Sequence, residues 1–234
     1  MNFENLKKTW EAFAQENPMW AILTAGKSRD FQWDPEQFYA AGKAGLTRIL
    51  DQVNTTTGLP KIGKSLDFGC GVGRLTFPLS VVSQATVGVD VSESMIAMAK
   101  NYAEAKGIEH CQFIHNTREN LEVFASDSFD FIVTMMVLQH MEPQYFTLYL
   151  KEFARILKPG GVLVFQLPQR IENKASYKEF NDSTIPEMEV YGMDRTEVIQ
   201  LLESESMKIK AIIEDECCGP SIRSFRYIAT KSAR

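Results

Sequence analysis

The stretch SLDFGCGVGRLTFPLS, residues 65–80, places Gly69, Gly71 and Gly73 within five positions, directly after an apolar run that contains Asp67. Glycines concentrated in this way usually provide positive φ angles or let a ligand approach bare main chain. The run before them predicts a strand and the residues after them a helix. Such a turn presents backbone N–H groups at the carboxyl edge of a sheet, where open α/β folds bind nucleotide-like ligands.

The spacing of these glycines disfavours two common nucleotide motifs. A G-x-G-x-x-G fingerprint that starts at Gly69 requires a glycine five positions later, where the chain has Arg74. No Gly-Lys-Ser/Thr sequence follows, so the P-loop pattern also fails. A nicotinamide-dependent oxidoreductase would share the fold, but Arg74 and Asp67 both count against it.

Two acidic residues indicate what kind of nucleotide-like ligand the turn would take. Asp90 ends the run GVDVS, 21 positions after Gly69, where a carboxylate can accept hydrogen bonds from both ribose hydroxyls. Asp67, at the tip of the first predicted strand, would repel a pyrophosphate and attract an ammonium group. Together they predict a nucleoside that carries an amino acid in place of phosphates.

The elements that must position these residues alternate between short β-rich runs and longer helical stretches from residue 64 onward, which is typical of βαβ units around a mostly parallel sheet. The last two predicted strands are separated only by CCGPSIR and should pair antiparallel. The predicted strands cover 65–69, 85–90, 111–115, 129–137, 161–167, 208–215 and 224–230. The predicted helices cover 75–83, 92–107, 118–124, 143–161 and 194–206.

Residues 1–63 have a different character and predict a helical extension or lid, attached to a core of residues 64–234 within a single domain. Core packing is the favoured role for the aromatic residues of this extension, because large rings mostly serve burial. A second hypothesis makes some of them a lid and acceptor pocket, with the breaker-rich segment 171–192 as a mobile cover. The candidates for this pocket are Trp20, Trp33, Phe38, Tyr39, Tyr145 and Tyr191.

Composition limits the class of protein. The 234 residues are 44% hydrophobic with a net charge of -5, and no run of lysines and arginines would follow a phosphate backbone, so no nucleic acid partner is expected. The sequence contains no signal-peptide core and no apolar window of about 18 residues, so we expect a cytoplasmic protein without a membrane partner. Four cysteines without C-x-x-C spacing predict reduced thiols and neither a disulfide framework nor a metal site.

Four ordered motifs resemble those of the class I S-adenosylmethionine-dependent methyltransferases: LDFGCGVGR, GVDVSESMIAMAK, SFDFIVTMMVLQH and RILKPGGVLVF. Together they are far more specific than any one of them, and they extend over roughly residues 64–168. The resemblance implies a three-layer αβα Rossmann-like sandwich with a seven-stranded, mostly parallel sheet whose last strand is antiparallel. It also implies S-adenosylmethionine as cofactor, S-adenosylhomocysteine as its product and transfer of a methyl group, which we expect to go to a small-molecule acceptor.

The resemblance also implies roles for individual residues. Gly69 and Gly71 would contact the methionyl portion of the cofactor, Asp67 its ammonium group and Asp90 its ribose. Asn116 occupies the position that usually carries an aspartate for the adenine amino group, so the bond loses charge assistance. The predicted cofactor contacts are Asp67, Gly69, Cys70, Gly71, Arg74, Asp90, Val91, Met95, Asn116, Thr117, Arg118, Met135 and Met136, with Val137 in the same cleft.

Methyl transfer from a sulfonium is an in-line displacement in which the protein mainly aligns the reacting atoms. His140, just past the fourth predicted strand, is the candidate general base for an acceptor that is protonated at neutral pH. Gln139 beside it could hold the acceptor. The alternatives stay open: His140 as a helix cap or surface residue, Met95 as core, and the whole chain as a non-catalytic module or partner subunit that binds S-adenosylmethionine or S-adenosylhomocysteine.

Overall fold

The computed structural model describes residues 2–24, 27–170, 188–219 and 221–233, and the backbone of residues 175–176. Its helices are α1 (Phe3–Glu16), α2 (Pro18–Ile22), α3 (Pro35–Thr57), α4 (Thr76–Ser80), α5 (Glu93–Ala105), α6 (Pro143–Ile156) and α7 (Arg195–Ser204), with a 3-10 turn at Leu138–His140. Its strands are β1 (Ile62–Phe68), β2 (Ser83–Asp90), β3 (Cys111–His115), β4 (Phe129–Thr134), β5 (Leu157–Pro168), β6 (Ala175–Ser176), β7 (Glu189–Val190), β8 (Met207–Asp215) and β9 (Ser224–Lys231).

The main sheet has seven strands in the order β3-β2-β1-β4-β5-β9-β8. β1 pairs in parallel with β2 and β4, and β2 with β3. β9 runs antiparallel to both β5 and β8, so the last two strands of this sheet form the predicted hairpin. With helices between the strands and at the N-terminus, the α/β sandwich expected from the sequence is confirmed.

The chain divides into two compact units, which we name by the sequence features that they contain. The glycine-loop unit comprises Trp10–Thr117 and Phe129–Val133. The histidine unit comprises Met1–Thr9, Arg118–Ser128 and Thr134–Arg234. Most of the predicted N-terminal extension therefore belongs to the same unit as the glycine-rich turn.

Aromatic and aliphatic side chains of the extension form the core of the glycine-loop unit. Ala14 and Phe38 are buried in one hydrophobic cluster with Val72 and Met95. A second cluster, around Phe77, packs against partly buried rings of the same unit, among them Tyr39 and Tyr102. This burial agrees with the favoured role of these aromatics in core packing.

Capping residues explain where α5 and α6 begin and end. The Ser92 hydroxyl accepts a hydrogen bond from the Met95 N–H, as its position before α5 predicts. Gly107, with φ of +63°, follows the end of α5. Pro143 lies in the first turn of α6, where its missing N–H costs nothing.

The helix predicted at 118–124 is wrong, because side chains of α6 take the backbone groups that a helix would pair. The Leu121 N–H donates to the Glu152 carboxylate at 2.8 Å. The Arg155 guanidinium donates to the carbonyl oxygens of Leu121 and Phe124 at 2.9 and 3.0 Å. The buried Leu121 and Phe124 side chains are thus held in a loop.

Several predicted boundaries move for identifiable reasons. β1 begins at Ile62 and ends one residue earlier than predicted, because Gly69 turns the chain with φ of +71°. β4 ends at Thr134, short of the predicted residue 137, because Met136 has φ of +60°. α6 ends at Ile156, and β5 already includes the Lys158–Gly161 run that was predicted to end the helix. Because Lys158 precedes a proline, it favours extended backbone.

Candidate functional site

The glycine-rich loop has the geometry that its composition predicts. Gly69, Gly71 and Gly73 have φ angles of +71°, +52° and +89°, a region that other L-residues seldom adopt. The N–H groups of Gly69 and Cys70 both donate to the carbonyl oxygen of Val89, at 2.8 and 3.0 Å. The loop is therefore fixed to the carboxyl end of β2, and glycine is required by conformation at each of the three positions.

Asp90 joins this loop to the start of α5. Its Oδ2 accepts from the Gly71 N–H at 2.8 Å and its Oδ1 from the Ser92 N–H at 2.9 Å. The side chain is 9% exposed, and burial raises its pKa, against the lowering effect of these backbone hydrogen bonds. A carboxylate oxygen has two acceptor sites, so Asp90 keeps acceptor capacity beyond these two bonds.

Asp67 is more deeply buried than a residue that contacts a ligand directly would need to be. It is 2% exposed, and its Oδ2 accepts from the hydroxyl of Thr76, the first residue of α4, at 2.6 Å. Burial raises the pKa of Asp67 to about 6, while the Thr76 hydrogen bond and the nearby Arg74 act in the opposite direction. The carboxyl group is therefore mostly ionised at neutral pH and gives this end of β1 a negative charge.

Side chains of the extension cover the loop at Gly71. A Cβ atom on Gly71 would lie 2.5 Å from Cδ1 of Ile22, in α2, and 3.4 Å from Sδ of Met95. The Tyr39 hydroxyl donates to the carbonyl oxygen of Val72 at 3.1 Å. Burial raises the pKa of Tyr39, so this hydroxyl keeps its proton and remains a donor.

The extension also contacts the start of α5 through Glu11. One carboxylate oxygen of Glu11 accepts from the Ser92 hydroxyl at 2.7 Å, and the other accepts from the Ser94 hydroxyl. Ser92 is the residue that also donates its N–H to Asp90. No local pattern in the sequence points to this role of Glu11, because Ser92 and Ser94 lie more than 80 residues away in the chain.

The other predicted cofactor residues of this unit differ in exposure. Cys70, Met95 and Asn116 are buried, and Met95 belongs to the hydrophobic cluster around Phe38, as its alternative role in the core predicts. The Asn116 N–H donates to the Asp90 carbonyl oxygen at 2.9 Å, which brings Asn116 to the end of β2. Arg74 is buried beside Asp67, Val91 is partly exposed and Thr117 is exposed.

In the histidine unit, Met135 and Met136 follow β4. Met135 is 9% exposed. Met136 has φ of +60°, and its N–H donates to Oε1 of the fully buried Gln166 at 3.1 Å. The Arg118 side chain is exposed and lies 3.8 Å from the Glu122 carboxylate. The predicted contacts of these three residues with a cofactor stay predictions.

His140 and Gln139 are buried together in the 3-10 turn, each 6% exposed. Nδ1 of His140 lies 2.9 Å from the carbonyl oxygen of Glu189, and Nε2 lies 3.0 Å from the amide nitrogen of Gln139. Burial lowers the pKa of His140 to about 4. Since both ring nitrogens are bonded within the protein, this geometry favours a positioning role over the predicted role of general base.

The predicted acceptor-binding aromatics have partners of their own. The indole N–H of Trp20 donates to the Lys27 carbonyl oxygen at 3.0 Å, and that of Trp33 to the Leu23 carbonyl oxygen at 2.8 Å. Tyr191 donates its N–H to the Gln139 carbonyl oxygen at 2.7 Å. Most of the predicted mobile cover at 171–192 lies outside the described residues.

The arrangement in the glycine-loop unit suits a ligand that brings hydrogen-bond donors and a positive charge. Two buried carboxylates lie at the carboxyl ends of β1 and β2. Within the described ranges, no group of three or more histidine, cysteine, aspartate or glutamate side chains could hold a metal ion. In the same part of the chain, no helix combines the length and hydropathy needed to cross a bilayer.

Comparisons with known proteins agree with this chemistry. Residues 66–161 match the family model described as a methyltransferase domain. The chain is 37% identical over 108 residues to the ubiquinone biosynthesis O-methyltransferase of Coxiella burnetii, an alignment that covers 45% of this chain and 43% of that protein. The chain thus spans well under half the length of this curated relative.

Among solved structures, two examples illustrate the similarity of this fold to known proteins. The magnesium protoporphyrin IX methyltransferase of Synechocystis PCC 6803, with S-adenosylhomocysteine bound, has a TM-score of 0.69 at 16% identity and covers 99% of this chain and 100% of its own. The [4+2]-cyclase SpnF has a TM-score of 0.61 at 17% identity over 80% of this chain and 82% of its own. At such identities the likeness shows the fold alone.

The matched segment begins at Leu66 and includes the glycine-rich loop, Asp90 and the 3-10 turn. The ordered motifs, the seven-stranded sheet and the family model therefore agree. Residues 66–161 of this chain are thus similar in sequence to a methyltransferase domain, and the sheet has the fold of solved methyltransferase structures.

Proposed function

We propose that this protein binds S-adenosylmethionine at its glycine-rich loop and transfers the methyl group to a small-molecule acceptor. The observation that carries the proposal is the connection between Gly71 and Asp90, in which a buried carboxylate holds a positive-φ glycine by its N–H. This connection brings bare main chain and a carboxylate to the same edge of the sheet. A nucleoside with an amino-acid tail fits both features.

Asp90 has the acceptor capacity that a ribose needs. Each of its oxygens accepts one backbone N–H, from Gly71 and from Ser92. The two oxygens have four acceptor sites in all, so capacity remains for a further donor such as a ribose hydroxyl. The backbone bonds also fix the carboxylate in one orientation before a ligand arrives, which lowers the entropic cost of binding.

Asp67 would act on the ligand through its charge. It is ionised at neutral pH and buried at the end of β1, where the surroundings screen its field less than water does. The Thr76 hydroxyl donates to one of the Asp67 oxygens. Long-range attraction of an ammonium group is therefore favoured over a direct hydrogen bond. The predicted direct contact between Asp67 and that ammonium stays a prediction.

The bound cofactor would supply a methyl group already activated by a positively charged sulfur, so the protein chiefly needs to orient the reactants and exclude water. Ile22 is placed for the second task, because its side chain covers the main chain at Gly71. A ligand that contacts Gly71 must displace Ile22. We therefore assign a lid function to α2 within the predicted N-terminal extension.

The names of the relatives support a small-molecule acceptor. The curated relative is an O-methyltransferase of ubiquinone biosynthesis, and the structural neighbour with bound S-adenosylhomocysteine is a methyltransferase of magnesium protoporphyrin IX. The net charge of -5 also disfavours nucleic acid as acceptor.

Isotope transfer tests this proposal. The protein would be incubated with S-adenosylmethionine that carries a trideuterated methyl group, together with a protein-free metabolite extract, and the products analysed by mass spectrometry. We expect one or a few labelled small molecules and stoichiometric S-adenosylhomocysteine. Asp90→Ala is the matched control and should give neither. Tight cofactor binding without any labelled product would contradict catalysis and support the non-catalytic binding module.

A further inference from the structure

A chain of buried polar groups runs through the histidine unit from Met136 to Glu189. The Met136 N–H lies 3.1 Å from Oε1 of Gln166, and Nε2 of Gln166 lies 3.4 Å from Sγ of Cys218. Sγ of Cys218 lies 2.9 Å from Oε1 of Gln139. His140 completes the chain, between the Gln139 amide nitrogen and the Glu189 carbonyl oxygen.

The two ends of this chain fix the direction of every bond in it. The Met136 N–H can only donate, and the Glu189 carbonyl oxygen can only accept. Each member in between must therefore accept on one side and donate on the other. Cys218 donates its S–H to Gln139, and Gln139 donates its amide N–H to Nε2 of His140. His140 then has its proton on Nδ1 and donates it to Glu189.

We propose that Gln166, Cys218 and Gln139 form a hydrogen-bond relay of positioning residues that holds His140 as a neutral Nδ1–H imidazole and fixes the turn after β4. The proposal rests on the proposed function, because this turn carries the residues predicted to hold the acceptor. It replaces the predicted general base by a rigid neutral group. It also gives a role to Cys218, which the sequence left as a plain loop thiol.

Protonation of His140 is incompatible with the relay. A proton on Nε2 would face the Gln139 amide N–H, so Gln139 would have to turn its oxygen toward the ring. Cys218 would then face an amide N–H and lose its acceptor. All the side chains involved are at most 7% exposed, so water cannot replace the lost partners.

The relay also explains the strained backbone at Met136. A non-glycine residue with φ of +60° costs about 1 kcal/mol or more and persists where its surroundings hold it. Oε1 of Gln166 accepts the Met136 N–H directly, and Ser224 takes another proton of the same Gln166 amide. The orientation of the Gln166 amide is thereby fixed from both sides.

Nuclear magnetic resonance of the imidazole rings tests the relay without a methyl acceptor. The chain has three histidines, so long-range proton–nitrogen spectra of the labelled full-length protein are simple, and His110→Gln and His115→Gln assign them. We expect the His140 ring to be neutral at neutral pH, with its proton on Nδ1. Cys218→Ser, whose hydroxyl both donates and accepts, should leave this signature unchanged.

Cys218→Val breaks the relay with an apolar side chain that is somewhat larger than cysteine, and Cys218→Ala is the second variant if the valine protein does not fold. We expect the unprotonated Nε2 signal of His140 to be lost or shifted at about pH 6 in these variants, near the ordinary titration range of histidine. Cys217→Val, next in sequence but outside the relay, is the matched control.

Three results would overturn the proposal: a wild-type His140 with a protonated Nε2 at neutral pH, a Cys218→Val spectrum identical to wild type, or a Cys218→Ser spectrum that matches Cys218→Val. The spectra are recorded without cofactor. Failure of the relay therefore leaves the methyl-transfer assay unaffected, and absence of methyl transfer leaves the tautomer of His140 unaffected.

Discussion

The glycine-loop unit and the histidine unit both bury polar side chains near the ends of strands, but they bury groups of different kinds. In the first, Asp67 and Asp90 are carboxylates whose pKa burial raises. In the second, burial favours the neutral forms of His140 and Cys218, and both are hydrogen-bonded to the uncharged amide of Gln139. The first arrangement keeps acceptor capacity for an outside donor, whereas the second uses its donors and acceptors internally.

This difference separates binding from positioning. A buried carboxylate with unused acceptor sites is costly to the fold and gains from a ligand that brings donors. A closed chain of neutral groups gains nothing from a ligand but fixes the orientation of the side chains in it. This contrast supports the two proposals, of cofactor binding in the glycine-loop unit and of side-chain positioning in the histidine unit.

The largest expected effect is on cofactor affinity in Asp90→Ala. Loss of two charge-assisted hydrogen bonds should weaken binding of S-adenosylhomocysteine roughly 100-fold, measured by calorimetry. Asp90→Asn keeps the size of the side chain and part of its acceptor capacity, so its affinity should be intermediate. Equal affinities in Asp90→Ala and wild type would show that the carboxylate does not contact the ligand.

The next effect is on stability in Asp67→Asn. Burial raises the pKa of Asp67 in the folded chain to about 6, above the ordinary aspartate value of about 3.9. Below about pH 4 the carboxyl is protonated in both folded and unfolded chains; from there to about pH 6 only the folded chain keeps the proton. The contribution of Asp67 to stability is therefore present at low pH and lost as the pH rises through 6.

Asp67→Asn should accordingly raise the free energy of unfolding at pH 7 by up to about 3 kcal/mol, with little gain near pH 4. Urea denaturation of the variant and of the wild type at pH 7 and at pH 4 measures the two gains in unfolding free energy. A variant that is less stable than wild type at pH 7 would show instead that the ionised carboxylate stabilises the fold through Thr76 and Arg74.

A smaller effect separates backbone strain from crowding in the glycine-rich loop. Gly73→Ala combines φ of +89° with a Cβ that would lie 2.5 Å from the Phe77 ring, so we expect a loss of about 2 to 3 kcal/mol. Gly107→Ala, with φ of +63° and open space around its Cβ, should lose only about 1 kcal/mol. Equal losses of stability in the two variants, measured by thermal unfolding, would show that contact with the Phe77 ring does not contribute to the effect at Gly73.

The last prediction concerns stability in the histidine unit, where the relay consists of neutral groups and not of carboxylates. Gln166→Leu removes the acceptor of the Met136 N–H and should lower the free energy of unfolding at pH 7 by about 2 kcal/mol, measured by urea denaturation. Gln112→Leu, at an exposed position on β3, is the control and should change stability little. Unchanged stability in Gln166→Leu would show that this acceptor does not stabilise the turn after β4.

Local sequence predicted the parts of the fold that depend on local chemistry. Ser92, Gly107 and Pro143 mark helix ends where they were expected, and the last hairpin followed from the short connection between its strands. The helix predicted at 118–124 failed because α6 supplies side-chain partners that no local pattern reveals. β6 and β7, two residues each, were too short to be recognised.

The candidate site shows the same division, between features that local sequence predicted and features that depend on distant residues. Glycine spacing predicted the positive-φ turn at residues 69–73, because conformation there is encoded locally. Binding of a cofactor by this turn and Asp90 stays a prediction. Ile22, Thr76 and Cys218 were missed, because each acts through a partner that is distant in sequence or of ordinary type. The predicted role of His140 as a base rested on residue type alone, and only the bonds to Gln139 and Glu189 show how the ring is held.

Thermal unfolding with S-adenosylmethionine, S-adenosylhomocysteine, NAD and NADP in turn tests most directly that the glycine-rich loop and its carboxylates recognise a nucleoside joined to an amino acid. At 100 times its dissociation constant, either sulfur-containing ligand should add about 2.7 kcal/mol to the free energy of unfolding, and neither dinucleotide should add any. Stabilisation by NAD or NADP alone, or by none of the four, would contradict the account.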